Sequence, residues 1–242
     1  MPKVLLEKYT GFRCGLCPAG ADIIKDLEAR NPATLVSMSI HAGSLSVPTS
    51  APFNIDLRVA SGTALDNQFR ATSIGTPSGM VNRAPFNNSS VMGSGAWASA
   101  MAAQHNRALD VALRLTTFYN ATTRTVTARV EAEYLKAQEA DNYLSLYIVE
   151  DSVVQAQTDY RLSPSIVQNY AHHNVVRGTM NGTWGTQLST AAISVGTKIT
   201  RETTLALAPE WNERRCRVIA FVHKYNTSWQ VLQVEQAQIR KK

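Results

Sequence analysis

The sequence predicts an α/β domain over residues 1–105 followed by an all-β domain over residues 106–242. Three observations carry this reading. The first forty residues pass from a short apolar run to a helical period and then to a β-period run. A Cys-x-x-Cys-Pro segment, Cys14 to Pro18, stands where the first run gives way to the helical period. Beyond about residue 106, β-branched residues recur in long alternating segments that suit half-buried strands.

Residues 3–9, with Val4, Leu5 and Leu6, form the first strand, and Thr10-Gly11-Phe12-Arg13 a turn leading to the cysteines. Leu16, Ile23, Ile24 and Leu27 then fall at helical spacing until Asn31-Pro32. Proline stops the helix there because it lacks the amide the next turn needs. Leu35 to His41 alternates, with Val36, Met38 and Ile40 on one face, so the opening reads as a β-α-β unit with a parallel strand pair. Gly43 to Pro52 is a loop. Ser61 caps a helix carrying Leu65 and Phe69, Ser73 to Arg83 is a proline-initiated strand, and an Ala-rich helix around Trp97 and Met101 closes the domain.

The second domain offers strands at Leu109–Tyr119, Arg124–Lys136, Tyr143–Val154, Lys198–Leu207, Arg217–Lys224 and Trp229–Gln236. Joined by polar turns, they predict a β-sandwich of the immunoglobulin-like or jelly-roll-like kind. Gln155 to Thr190 has no clear period and contains Pro164, Gly178, Gly182 and Gly185, so it is expected to be a structured excursion between strands.

Composition narrows the function. A chain of 242 residues that is 44% hydrophobic can bury a real core, which excludes disorder. The net charge of +6 comes from scattered Lys and Arg, clustered only at Arg214, Arg215 and Arg217 and in the tail Arg240-Lys241-Lys242. No basic stripe with interleaved aromatics is present, so nucleic acid is not an expected partner. No apolar run reaches the roughly 18 to 20 residues of a membrane-spanning helix, and no span is expected. No signal peptide opens the chain, which is compatible with a cytoplasmic protein or with one trimmed of its secretion signal. Neither a Gly-rich phosphate loop nor a Gly-x-Ser-x-Gly elbow occurs, and no cofactor is expected.

Cys14 and Cys17 form a close pair and Cys216 lies far along the chain. A thiolate is the nucleophile of disulfide exchange, and Cys14 in the first turn of a helix would meet unpaired N–H groups and the positive end of the helix dipole. Cys17, one helical turn on, can reach a mixed disulfide on Cys14 and expel the product, while Pro18 suits an early helical position. Arg13 adds a charge that favours the thiolate, screened if it lies at the surface. Half a zinc site and a structural or degenerate disulfide remain open alternatives, although no second Cys-x-x-Cys or His-x-x-x-His supplies further zinc ligands, and no metal is expected. His172 and His173 are adjacent and cannot both face one ion from a strand, so ordinary hydrogen bonding is the default. His41 reads as structural, Cys216 as a buried inert thiol, and Trp184, Trp211 and Trp229 as core or rim aromatics.

Val4-Leu5-Leu6-Glu7, Cys14-Gly15-Leu16-Cys17-Pro18 and Gly75-Thr76-Pro77 resemble, in this order, the strand, active-site loop and cis-proline loop of thioredoxin-like domains. The resemblance implies a thioredoxin-like N-terminal domain in which Pro77 is cis and Thr76 presents backbone groups to a bound peptide. It also implies that Cys14 is the nucleophile and Cys17 the resolving thiol. Glu7 falls near the buried carboxylate that relays a proton in thioredoxins, with a satisfied strand-end charge as the competing reading. Arg13 departs from the usual aromatic, Gly15-Leu16 from Gly-Pro, and the turn is one residue longer. More narrowly, Leu6 to Pro18, Asp56-Leu57-Arg58, Gly75 to Arg83, His173 to Gly178 and Asn181 to Gly185 are similar to the Omp28-like family of Bacteroidetes outer-membrane and secreted proteins. That similarity implies an extracytoplasmic location in the periplasm, at the outer membrane or outside the cell. Two functions follow. One is a thiol–disulfide oxidoreductase acting on protein or peptide thiols and disulfides, with the C-terminal domain binding partners or forming a homodimer. The other is a surface-exposed binding or adhesion protein whose N-terminal domain is a non-catalytic scaffold.

Overall fold

Strand pairing organises the molecule, and the computed structural model describes residues 1–239 of it; the basic tail Arg240, Lys241 and Lys242 lies outside the described residues. The elements run β1 (Val4–Thr10), α1 (Cys17–Arg30), β2 (Leu35–His41), α2 (Ala60–Phe69), β3 (Ser78–Val81), β4 (Met92–Gly93) and α3 (Trp97–His105). They continue with β5 (Val111–Asn120), β6 (Thr125–Tyr134), β7 (Asn142–Glu150), β8 (Val153–Thr158), β9 (Ile166–His172), β10 (Val175–Thr179) and β11 (Thr186–Gln187). The last three are β12 (Lys198–Ala206), β13 (Cys216–Lys224) and β14 (Val231–Gln238). The protein is thus mostly β, in several sheets.

The largest sheet has nine strands in the order β14-β13-β7-β10-β2-β1-β3-β4, with β11 attached to β7. β1 and β2 are parallel, from Val4 opposite Leu35 to Thr10 opposite His41, and β3 is antiparallel to β1. Every residue of β1 and β2 is buried, because this part of the sheet is covered on both faces. On one face Val4 and Leu6 pack with Ile24 and Leu27 of α1 and Trp97 of α3. On the other, Leu5 and Tyr9 pack with Leu65 of α2 and with Tyr147 and Phe221 of β7 and β13. The opposite face of β7 and β13 meets β6 of the three-stranded sheet β12-β6-β5 through Val126, Ala128 and Val130, which makes a sandwich core.

The nine-stranded sheet bends so that β14 returns against the β1–β3 part of it. Val231 N donates to Asn82 O at 2.8 Å, and Lys3 N donates to Gln233 Oε1 at 2.8 Å. The boundary expected between residues 105 and 106 falls in the backbone joining α3 to β5, but the hydrogen-bonded sheet runs across it. β10 does this by pairing with β2 at Val175–Ser39 on one side and with β7 on the other.

Several local expectations are corrected. Gln155 to Thr190 holds the hairpin β8–β9 and the sheet strands β10 and β11. The strand expected over Tyr143–Val154 breaks after Glu150, where Ser152 takes a φ of 55° and turns the chain out of the sheet into β8. Val59, not Ser61, stands at the cap of α2; Ser61 lies inside the helix with a buried, unbonded hydroxyl. Cys14 precedes α1 instead of occupying its first turn, held by its N–H donating to Gly11 O at 3.0 Å, with Leu16 at the cap and Cys17 the first helical residue. Cys216 is fully buried, and burial pushes its thiol up to about 12. No helix of the described residues is long and apolar enough to cross a membrane.

Candidate functional site

The end of β1 feeds a tight loop whose backbone is tied on both sides. Gly11 is required there because a Cβ would come within 2.7 Å of the Leu45 backbone. Phe12 is buried and stacks on Phe53 with ring centroids 5.7 Å apart. The Arg13 guanidinium donates to the Ser44 carbonyl, so this side chain staples the loop to its neighbour. Cys14 and Cys17 are joined by a disulfide with their Cα atoms 5.4 Å apart, and Cys17 N donates to Cys14 O at 3.2 Å. The Thr76–Pro77 peptide bond is cis, and Cys14 Sγ lies 3.3 Å from Thr76 O. Gly20 of α1 allows this approach, since a Cβ there would press on the Pro77 ring at 2.9 Å. Cys14, Cys17, Thr76 and Pro77 are therefore brought together, with Arg13 on the rim.

The hairpin β8–β9 closes over this loop. Thr158 N donates to Phe12 O at 2.8 Å, and Tyr160 N donates to Gly15 O at 3.0 Å. The Gln157 side-chain amide donates to Cys14 O at 2.9 Å. The Tyr160 ring lies directly over Gly15, and Arg161 reaches α1 in an ion pair with Asp22 at 2.7 Å. As a result Cys14 and Cys17 are only 3% and 2% exposed, while Leu16 between them is 62% exposed.

Beneath the disulfide lies a polar space of about 10 Å³ lined by Lys8, Thr10, Cys17, His41, Gln157 and His172, with room for one water at most. It adjoins a cleft of about 450 Å³ that shares Lys8, Ser39, Tyr170 and His173 and is bordered by Asp22 and Glu28. Burial lowers Lys8 to about 8, partly opposed by Glu28 and Asp22. Burial also holds His41 well below its ordinary range, helped by His172 and Lys8, and neither His41 ring nitrogen has a partner. His172, with ring centroid 5.3 Å from that of His41, falls to about 4 for the same first reason. His173 stands apart on Asp151 at 2.7 Å, which raises it. Among the described residues no group of three or more His, Cys, Asp or Glu is arranged to hold a metal.

Glu7 is not brought to the cysteines. Successive strand residues point to opposite faces, and Glu7 lies on the face of Leu5 and Tyr9. There it accepts from Arg83 Nε at 2.8 Å and Nη2 at 2.7 Å, with both side chains almost wholly buried. The Arg83 guanidinium sits over Phe69 and Phe221, 5.0 and 5.1 Å from their centroids. From this strand Lys8 and Thr10 line the space under Cys17, and Lys8 alone of the two carries a charge. Sequence reasoning missed Lys8, Gln157 and Tyr160; the one available signal was a lysine within a strand that follows an apolar start, Val4-Leu5-Leu6.

The sequence profile of the outer membrane protein Omp28 family matches residues 62–242. Among solved structures, HBP35 of Porphyromonas gingivalis aligns over 98% of this chain and 75% of its own, with a TM-score of 0.68 and 15% identity. A crystal structure of a protein from Agrobacterium tumefaciens aligns over 100% of this chain and 96% of its own, with a TM-score of 0.61 and 10% identity. At these identities the likeness is one of fold, and it extends across both halves. A search of curated protein sequences gave no match.

Proposed function

The chain belongs to the outer membrane protein Omp28 family, and on that premise we propose that it is an extracytoplasmic thiol–disulfide exchange protein whose N-terminal half is a thioredoxin-like unit. The strand order β2-β1-β3-β4, with β1 and β2 parallel and the cysteine loop between β1 and α1, supports the thioredoxin-like reading. The observation that carries the chemistry is the 3.3 Å approach of Cys14 Sγ to Thr76 O. It sets the Cys14 sulfur beside a backbone segment along which a peptide can align once the β8–β9 cover lifts.

In the exchange, a substrate thiolate attacks Cys14 Sγ, the Cys14–Cys17 bond breaks, and Cys17 leaves as a thiolate. A second substrate thiolate then attacks the substrate-side sulfur of the mixed disulfide and frees Cys14, which leaves the substrate oxidised and the pair reduced. In the reverse direction Cys14 attacks a substrate disulfide and Cys17 resolves the mixed disulfide. Arg13 fixes the loop through Ser44. The partners are thiols or disulfides of proteins or peptides, and residues 106–242 form the part that binds them or self-associates.

A second reading, a surface binding protein with a purely structural disulfide, is favoured by the cover that β8–β9 places over both sulfurs. Turnover of a reducible protein substrate such as insulin by the full chain, compared with Cys14→Ser, separates the two. Faster turnover by the wild type, with mixed disulfides trapped on Cys14 in Cys17→Ser, supports exchange. Equal rates and no trapped species support the scaffold.

A further inference from the structure

A disulfide's tendency to accept electrons depends on what stabilises its reduced form. The space under Cys17 therefore bears on the direction of the exchange proposed above. We infer that Lys8 is the counter-ion of Cys17 in the reduced protein, and that this cation makes the Cys14–Cys17 disulfide an acceptor of electrons from protein dithiols; the inference rests on the exchange reading.

The geometry is specific to this face of β1. Lys8 and Cys17 line one small space, and Lys8 also lines the larger cleft that leads outward between α1 and β9. Lys8 is buried and, among the described residues, forms no ion pair or side-chain hydrogen bond. The carboxylates nearest to it are engaged elsewhere: Asp22 with Arg161, and Glu28 accepting from Ser37 Oγ at 2.5 Å and Asn174 Nδ2 at 3.0 Å. Glu7 is held by Arg83 on the far face. The remaining titratable groups around Lys8 and its cleft are His41 of β2, Tyr170, His172 and His173 around β9, Asp151 held by His173, Lys25 of α1, Arg217 of β13, and Arg177 of β10 acting on His41 at longer range. Burial keeps His41 and His172 neutral, and Glu28 and Asp22 act on Lys8 only through space, their oxygens being held by other partners.

In the oxidised protein Lys8 is thus a buried cation with no ion-pair partner and only through-space support from Glu28 and Asp22, an arrangement that costs stability. Reduction supplies the missing charge. A substrate dithiol gives up two electrons and two protons, its sulfurs join, and the Cys14–Cys17 bond breaks. One proton stays on Cys14, Cys17 remains a thiolate beside the Lys8 ammonium, and the second proton leaves through the cleft. The cost carried by the oxidised form is relieved in the reduced one, so the equilibrium moves toward oxidation of the substrate. A carboxylate in the same place would act in the opposite sense.

The test equilibrates the full chain with glutathione redox buffers at neutral pH, as wild type, Lys8→Met and Lys8→Arg, and titrates the Cys17 thiolate by its ultraviolet absorbance in Cys14→Ser. Cys216 stays silent there because its thiol is pushed to about 12. Lys8→Met should shift the equilibrium at least tenfold toward the disulfide, ~30 mV for a two-electron couple, and raise the pH at which Cys17 ionises. Lys8→Arg should recover most of both. Wild type gives a readout independent of any variant: its potential should fall with pH about half as steeply near neutrality as in acid. An unchanged equilibrium and titration in Lys8→Met, or a full slope through neutral pH in wild type, overturns the inference while leaving exchange intact. A wild-type disulfide that glutathione never reduces overturns both.

Discussion

Glu7 and Lys8 are neighbours in sequence and are both buried, yet they live in opposite electrostatic worlds because a strand sends them to opposite faces. Glu7 is closed: Arg83 meets it with two hydrogen bonds, and Phe69 and Phe221 shield the guanidinium. Lys8 is open, a cation facing Cys17 and two neutral histidines. The closed face joins the two halves of the molecule, since Phe221 belongs to β13 and Arg83 follows β3. The open face is where charge can change during a reaction. Burial alone therefore says little about an ionisable group; the partner decides whether it is structural or available.

The largest effect should come from breaking the closed face. Arg83→Met leaves Glu7 buried with no counter-ion, and removing one partner of a buried pair costs about 3–5 kcal/mol. Urea unfolding at neutral pH measures it. A loss well under 1 kcal/mol would show that Glu7 is less dependent on Arg83 than its contacts indicate.

The same kind of substitution on the open face should have the opposite sign. With Lys8 lowered from 10.5 to about 8, the unfolded chain binds more protons between those values, so wild-type stability rises with pH through that window. Below it, both states are protonated and the cost of burying the charge is fully present. Lys8→Met removes that cost and should stabilise the oxidised protein at neutral pH by on the order of 2 kcal/mol. Destabilisation by a similar amount would mean that Lys8 has a partner in solution and that the two faces are alike.

The histidines sharpen the contrast on the acid side. His172 moves from 6.5 to about 4 chiefly through burial, and Lys8 adds to the shift. Its folded form is neutral, so its contribution is present above about 6.5 and is lost as pH falls toward 4. Stability should decline across that interval, and His172→Gln should make the decline shallower by up to one proton. Thermal unfolding at a series of pH values reads the difference; an identical slope would place His172 in contact with water.

How far these two faces were legible in the sequence depends on range and period. β1, α1 and β2 announce themselves because Leu5, Ile24, Leu27, Val36 and Ile40 repeat locally. The cysteine pair and the Thr76–Pro77 loop are equally plain as residue types. The face of Glu7 and Lys8 was not readable, because β1 is buried on both sides and alternation then has no polar side to mark it. β10 was missed because Val175 and Val176 are a short apolar pair whose ladder partners, Ser39 and Val149, are remote in sequence. The cover over the cysteines escaped for a related reason. Gln157 and Tyr160 act through a few bonds to a loop more than a hundred residues away, as in Gln157 to Cys14 O, and no local pattern encodes such a pairing.

That cover gives the smallest of the expected effects and the one that joins the two faces to solvent. Gln157 is buried, and its amide holds the Cys14 carbonyl at 2.9 Å while Thr158 and Tyr160 add backbone bonds on either side. A reductant must lift at least part of this hairpin before it reaches the sulfurs. Gln157→Ala removes two hydrogen bonds to the loop, to Cys14 O at 2.9 Å and a longer one to Gly11 O at 3.4 Å; the shorter, worth about 1 kcal/mol, by itself raises the population of open molecules about fivefold. The rate at which dithiothreitol reduces Cys14–Cys17 should rise by at least that factor, and overall stability should fall by the same ~1 kcal/mol. The backbone bonds of Thr158 and Tyr160 survive the substitution, so a much larger acceleration would assign the hairpin's hold to Gln157 alone. An unchanged rate would mean that reductant enters from the Lys8 side, through the cleft between α1 and β9, and that the open face is open to chemistry as well as to charge.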